Sequence, residues 1–126
     1  MQLFLCFGPP KSGTTYLQRL LNAHPQISCP AEHHLDFLLK GMRRLFSEYN
    51  RGVALTDRRT GAQGAFQVNE ELFQEFFRDF VFKLAKAPGS DQKQFGLHDN
   101  EILKQIGFYR RLFPEARFVV IFRHPI

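Results

Sequence analysis

Cysteine is scarce in this 126-residue chain, which has only Cys6 and Cys29. Two thiols make neither a disulfide framework nor a metal cluster. Cys6, inside an apolar run, reads as a small buried residue. Long apolar runs are missing too. None approaches the roughly 20 residues that cross a bilayer. The start, Met1-Gln2-Leu3-Phe4-Leu5-Cys6-Phe7, lacks a basic leader region and is too short for a signal peptide. A cytoplasmic protein with no membrane partner is expected. The net charge is +5 and the pI about 9.6, which suits an anionic ligand. The basic residues, however, cluster only as the pairs Arg43-Arg44, Arg58-Arg59 and Arg110-Arg111. Without a basic stripe interleaved with aromatics, nucleic acid is not an expected partner. Repeats and low-complexity segments are absent.

Phenylalanine is abundant. Fifteen of them imply a core built from large rings. The length suits one domain spanning residues 1–126. Leu3 to Phe7 is a continuous apolar run, as in a parallel strand covered on both faces. The helix after it carries Tyr16, Leu17, Leu20 and Leu21 as one apolar face and ends near Asn22, ahead of Pro25. A second helix has its stripe at Leu35, Leu38, Leu39, Met42, Leu45, Phe46 and Tyr49. The stretch 51–67 is polar and aperiodic and reads as a loop. Asn69 caps a third helix with Leu72, Phe73, Phe76, Phe77, Phe80, Val81 and Leu84 on its stripe. A short strand at 95–98 precedes a helix capped by Asp99, with Ile102, Ile106, Tyr109 and Phe113 inward and Pro114 at its end. Phe118 to Phe122 forms the last strand. The whole reads as an α/β, P-loop NTPase-like three-layer fold with a central parallel sheet between helices. Three strands leave that sheet with open edges and an unfinished look.

Between the first strand and the first helix stands Gly8-Pro9-Pro10-Lys11-Ser12-Gly13-Thr14-Thr15. A strand, a glycine-bearing loop and a helix N-terminus make an anion site, because the first helical N–H groups have no partner in the helix and the dipole favours negative charge. The loop nearly matches the Walker A pattern of Gly-x-x-x-x-Gly-Lys-Ser/Thr. Thr14 stands at the lysine position, and the lysine, Lys11, lies before the second glycine instead. Ser12, Gly13, Thr14 and Thr15 supply main-chain N–H groups and hydroxyls, and Lys11 supplies the charge.

The segment Pro10-Lys11-Ser12-Gly13-Thr14-Thr15, continued by Leu17 and Leu20-Leu21-Asn22-Ala23-His24-Pro25, resembles the phosphosulfate-binding loop of sulfotransferases that use 3′-phosphoadenylyl sulfate. Phe113-Pro114-Glu115-Ala116-Arg117-Phe118-Val119-Val120-Ile121-Phe122-Arg123-His124-Pro125, at the opposite end, is similar to the second nucleotide motif of that family. The resemblance implies transfer of a sulfonate from that donor to a hydroxyl or amine of a small-molecule or carbohydrate acceptor. It implies that Lys11 meets the leaving phosphate oxygen, Thr14 and Thr15 orient the 5′-phosphate, and Arg123 holds the 3′-phosphate. No metal is required by this logic, since lysine and helix N–H groups neutralise a single phosphate. The family's general base maps onto Cys29-Pro30-Ala31-Glu32-His33-His34, where Glu32 is the first choice and His33 or His34 the alternative. The residues alone also allow Glu32 as an ordinary helix-start acid and His33-His34 as a solvent-facing pair.

Two departures accompany the resemblance. Phe95-Gly96-Leu97-His98-Asp99-Asn100 stands where many members carry a lysine, so either His98 or Asp99 replaces its contact or the contact is lost. The family's serine ligand for the 3′-phosphate and its adenine-covering loop would fall beyond Ile126. A chain ending there is expected to be truncated and to hold the donor weakly. A P-loop kinase or NTPase would instead place an acidic residue at the end of the last strand, where Arg123 stands. A remnant that keeps the loop without catalysis would bind no nucleotide through Lys11.

Overall fold

In a computed structural model, the structure describes residues 2–9, 12–31, 33–62, 64–86 and 91–122. Lys11, Glu32 and Arg123 lie outside them. Four strands form one parallel sheet: β1 (Gln2–Phe7), β2 (Ile27–Ser28), β3 (Gln94–His98) and β4 (Arg117–Val120), in the order β2-β3-β1-β4. The helices are α1 (Thr14–Asn22), α2 (Leu35–Thr60), α3 (Glu70–Ala85) and α4 (Ile106–Leu112), the last preceded by a 3₁₀ segment, Asn100–Gln105. The two-residue β2 is a fourth strand, too short for an apolar pattern to reveal. β1 is central, pairing Leu5 with Leu97 on one side and with Phe118 on the other. The segment between β3 and β4 therefore passes over β1 rather than joining neighbours.

The side-chain alternation of a strand sorts β1 onto two layers. Leu3, Leu5 and Phe7 join Leu35, Leu39, Phe73, Phe77 and Tyr109 in the main core. Phe4 and Cys6 face the other way, with Cys29 and, from α1, Leu17 and Leu21. Gly96 makes the second layer possible. A side chain there would collide with the Phe4 ring, and its Cβ would lie 2.8 Å from the Cys29 sulfur. Cys6 and Cys29 are free, buried thiols in mutual contact. The Cys6 thiol and burial both push the Cys29 thiol far above its ordinary value.

The segment read as a loop from residue 51 is helical as far as Thr60, because α2 continues well past its apolar stripe. Thr56 and Thr60 hydroxyls donate to the carbonyls of Gly52 and Thr56 along this solvent-facing extension. Gly61, at φ 67°, ends the helix in the left-handed cap that glycine accepts without strain. Asn50 then clasps the return: its amide donates to the Val68 carbonyl (2.8 Å) and its oxygen accepts from the Val68 N–H (2.7 Å). Asn69 caps α3 by accepting from the Leu72 N–H at 2.8 Å. The expected helical stripes are narrower than the sequence suggests. Leu45, Tyr49, Leu72, Phe76 and Leu84 stay exposed, while Ala85 is buried.

Two arginines bind the aromatic layer. Arg43 of α2 lies over the Phe73 ring and pairs with both Glu70 oxygens at 2.9 and 3.0 Å. Arg78 of α3 lies over Phe82, donates to the Leu112 carbonyl and pairs with Glu115. Hydrogen bonds from Arg43 hold the Glu70 carboxyl down to about 2, and those from Arg78 hold Glu115 below its usual range. A depressed carboxylate adds stability above its unfolded pKa and loses it as pH falls through the folded one. Acid titration of the thermal midpoint should therefore show a fall between about pH 4.5 and 2 that shrinks in Glu70→Gln. These exposed pairs each contribute at most about 1 kcal/mol, so an unchanged acid limb in that variant would remove the assignment.

Candidate active site

The loop leaves β1 at Gly8 and turns back at Ser12, whose N–H and hydroxyl both meet the Pro9 carbonyl, at 3.2 and 2.5 Å. Gly13 adopts φ 95°, a left-handed conformation that costs other residues. α1 begins at Thr14 with no side-chain cap, and its first bond runs from the Leu17 N–H to the Gly13 carbonyl at 3.0 Å. The N–H groups of Thr14, Thr15 and Tyr16 precede that bond and are the orphan donors of a helix start. Gly13 and Thr15 are exposed, while Ser12 and Thr14 are buried at 7% and 5% exposure. The expected α1 face is rotated. Tyr16 and Leu20 point outward at 67% and 54% exposure. Gln18 is buried instead, because its amide donates to the Cys29 carbonyl at 2.5 Å. With Asn22, which accepts from the Cys29 N–H at 2.9 Å, it fixes the chain entering residues 30–34.

The end of β3 organises everything around this loop. His98 meets His33 twice through its main chain: its carbonyl accepts from the His33 N–H at 3.0 Å, and its N–H donates to His33 Nδ1 at 3.2 Å. Asp99 accepts from the Leu35 N–H at 2.6 Å and the Asp36 N–H at 3.4 Å, both at the start of α2. Its other oxygen takes the Glu101 N–H at 3.0 Å. Asn100 donates to the Thr14 hydroxyl oxygen at 3.3 Å. Three consecutive residues thus anchor His33, the start of α2 and the start of α1. Asp99 was expected to cap one α-helix. It caps a 3₁₀ turn, closed by Ile102 N–H to Asp99 carbonyl, and α2 as well. Its carboxylate is committed to helix N–H groups rather than standing in for the family's lysine contact.

The same bonds define what His33 can do. Burial pushes its pKa below the ordinary histidine value, which favours the neutral ring. With Nδ1 accepting from His98, the neutral proton sits on Nε2. His33 therefore presents a donor, and its lone pair is occupied. His34 follows with φ 50°, a strained conformation for a non-glycine residue that starts α2. A cleft of about 490 Å³ opens beside it, lined by His34, Asp36, Phe37, Lys40, Arg44 and Glu101.

The two ends of the sequence meet at Ile121, just past β4. Its N–H donates to the Phe7 carbonyl at 3.2 Å. A Cβ on Gly8 would lie 2.6 Å from the Ile121 carbonyl oxygen, 2.8 Å from Ser12 Oγ and 2.9 Å from Thr14 Cγ2. A Cβ on Gly13 would lie 3.5 Å from Ile121 Cδ1. Ile121 thus leaves the sheet against the loop, and only a glycine fits at position 8.

A family model described as Sulfotransferase family matches residues 4–126. The chain belongs to the sulfotransferase family. Protein-tyrosine sulfotransferase 1 of Danio rerio is 24% identical over 98% of this chain and 33% of its own length. Protein-tyrosine sulfotransferase 1 of Homo sapiens is 25% identical over 98% and 31%. Protein-tyrosine sulfotransferase A of Caenorhabditis elegans is 23% identical over 92% and 29%. The chain therefore spans about a third of the length of these sulfotransferases. Among its described residues, no helix is long and apolar enough to cross a membrane.

The sequence expectations for Ser12, Gly13, Thr14 and Thr15 fall on one loop-and-helix start, and His33 lies at the adjoining end of β3. Lys11, Glu32 and Arg123 flank these positions in the chain but are outside the described residues. Sequence reasoning missed Asn100 and the two-helix role of Asp99. A cap signal at Asp99 was visible, but nothing local tells that a carboxylate will also serve a helix 64 residues away.

Proposed function

We propose that the chain binds 3′-phosphoadenylyl sulfate at the loop from Gly8 to Thr15 and transfers its sulfonate to an acceptor hydroxyl. The observation that supports this reading is Ile121 packed against Gly8 and Gly13, which sets the end of β4 against the glycine loop. The missing Cβ at Gly8, the left-handed Gly13 and the uncapped start of α1 suit a phosphate approached by main-chain N–H groups. The donor supplies an activated sulfonate on a phosphate leaving group. In this reading Lys11 neutralises charge growing on the leaving oxygen, and the N–H groups and hydroxyls of Ser12 to Thr15 hold the 5′-phosphate. Arg123 takes the 3′-phosphate. Positioning and preorganised charge then supply most of the catalysis.

In this reading Glu32 removes the acceptor proton, and His33, next in sequence, is a neutral Nε2–H donor. The names of the relatives support a tyrosine hydroxyl as acceptor, beside the small-molecule or carbohydrate class expected from sequence. The cleft beside His34, with Phe37 and Arg44 on its walls, is the candidate seat for that acceptor. Incubation with ³⁵S-labelled donor and a tyrosine-containing peptide, with chelator present, should label the peptide. Labelling of a glycan but not the peptide would overturn the acceptor assignment alone. Labelling of neither peptide, glycan nor phenol would overturn the transferase reading.

A further inference from the structure

We propose that Asn100 is a positioning residue for the anion-binding loop, orienting the Thr14 hydroxyl so that its proton is given to the donor's 5′-phosphate. The inference rests on the sulfotransferase reading and adds to it a residue that the near-Walker pattern does not contain. A threonine hydroxyl has one proton and two lone pairs. Asn100 Nδ2 occupies a lone pair of Thr14 Oγ1 at 3.3 Å. No described residue accepts the Thr14 proton, which leaves it for a ligand.

Gly8 fixes the same side chain from the other side. Its bare Cα leaves the space that the Thr14 methyl fills, with Thr14 Cγ2 only 2.9 Å from where a Cβ would stand. Methyl against Gly8 and oxygen against Asn100 together select one rotamer at a position only 5% exposed. Asn100 itself is held by the turn that Asp99 closes at the start of the 3₁₀ segment. Its Oδ1 is buried and has no hydrogen-bond partner among the described residues. A hydroxyl committed beforehand as a donor binds an anion without paying for rotor ordering, and hydrogen bonds to charged oxygens are the stronger kind.

A double-mutant cycle read by calorimetry with adenosine 3′,5′-bisphosphate tests this. Asn100→Ala should weaken binding about tenfold, in line with one hydrogen bond to a charged group. In the Thr14→Val background the same change should have no further effect, whereas in Thr14→Ser, which keeps the hydroxyl, it should again cost about tenfold. Equal losses in all backgrounds, or none, would overturn the positioning role. Should Asn100→Ala not fold, the Asn100 side-chain amide resonance is followed instead. It should shift in Thr14→Val and stay near its place in Thr14→Ser, and no difference between the two would overturn the proposal. If the unsubstituted chain binds no bisphosphate, the nucleotide reading fails. Inorganic sulfate titrated against that amide then tests Asn100 by itself, a Thr14-dependent shift supporting it and a Thr14-independent response overturning it.

Discussion

Glu32→Gln is expected to lower the turnover of sulfonate transfer by about a hundredfold or more, the range of a lost general base, with nucleotide affinity and thermal midpoint unchanged. The acceptor hydroxyl must lose its proton as the sulfonate arrives, and glutamine cannot take it. Its neighbour offers no substitute: His33 Nδ1 is occupied by the His98 N–H, and burial disfavours a second proton on the ring. His33→Gln should therefore cost far less turnover than Glu32→Gln. The decisive comparison is single-turnover kinetics of the two variants at saturating donor. A larger loss in His33→Gln would transfer the base role to the histidine.

Asp99→Ala should destabilise the protein by roughly 3–4 kcal/mol, since it strands buried donors at two helix starts at once. The carboxylate is 6% exposed and accepts from the Leu35, Asp36 and Glu101 N–H groups. Its charge also opposes the positive end of the α2 dipole. Against a total stability of about 5–15 kcal/mol, the loss should lower the thermal midpoint by roughly 10–15 °C. Asp99→Asn keeps acceptor oxygen and shape but not charge, and should cost about half as much. Denaturant melts of both variants would settle the matter, and a loss under about 1 kcal/mol in Asp99→Ala would contradict the double cap. Because the same residue anchors the segment after Glu32, turnover should fall further than stability in Asp99→Asn.

Much of this molecule was legible because local chemistry and tertiary packing agree. β1, the Gly8 to Thr15 loop, the Asn69 cap and the stop at Pro114 each carry a signal within a few residues. The α/β fold follows from them. The α2 extension was not legible, since Arg51 to Thr60 makes helix on its exposed side without an apolar period. The α1 face was misjudged for a different reason. Leu20 and Tyr16 are more apolar than Gln18, but Gln18 is drawn inward by the Cys29 carbonyl, a partner no periodicity reveals. The candidate site divides in the same way. Its anion loop is contiguous and readable, whereas the Asp99, Asn100 and Ile121 contacts join residues far apart in sequence. Asn100 ends the segment that the resemblance singled out, but nothing local there points to Thr14.

The central claim is that Gly8 to Thr15 is a loop for a phosphosulfate nucleotide rather than a damaged triphosphate loop. Isothermal titration of the 126-residue chain with adenosine 3′,5′-bisphosphate and, separately, with Mg-ATP tests it most directly. The account predicts that the bisphosphate binds more tightly, without a metal requirement, and that Lys11→Ala weakens it. Tighter binding of Mg-ATP, dependent on Mg²⁺, would contradict it.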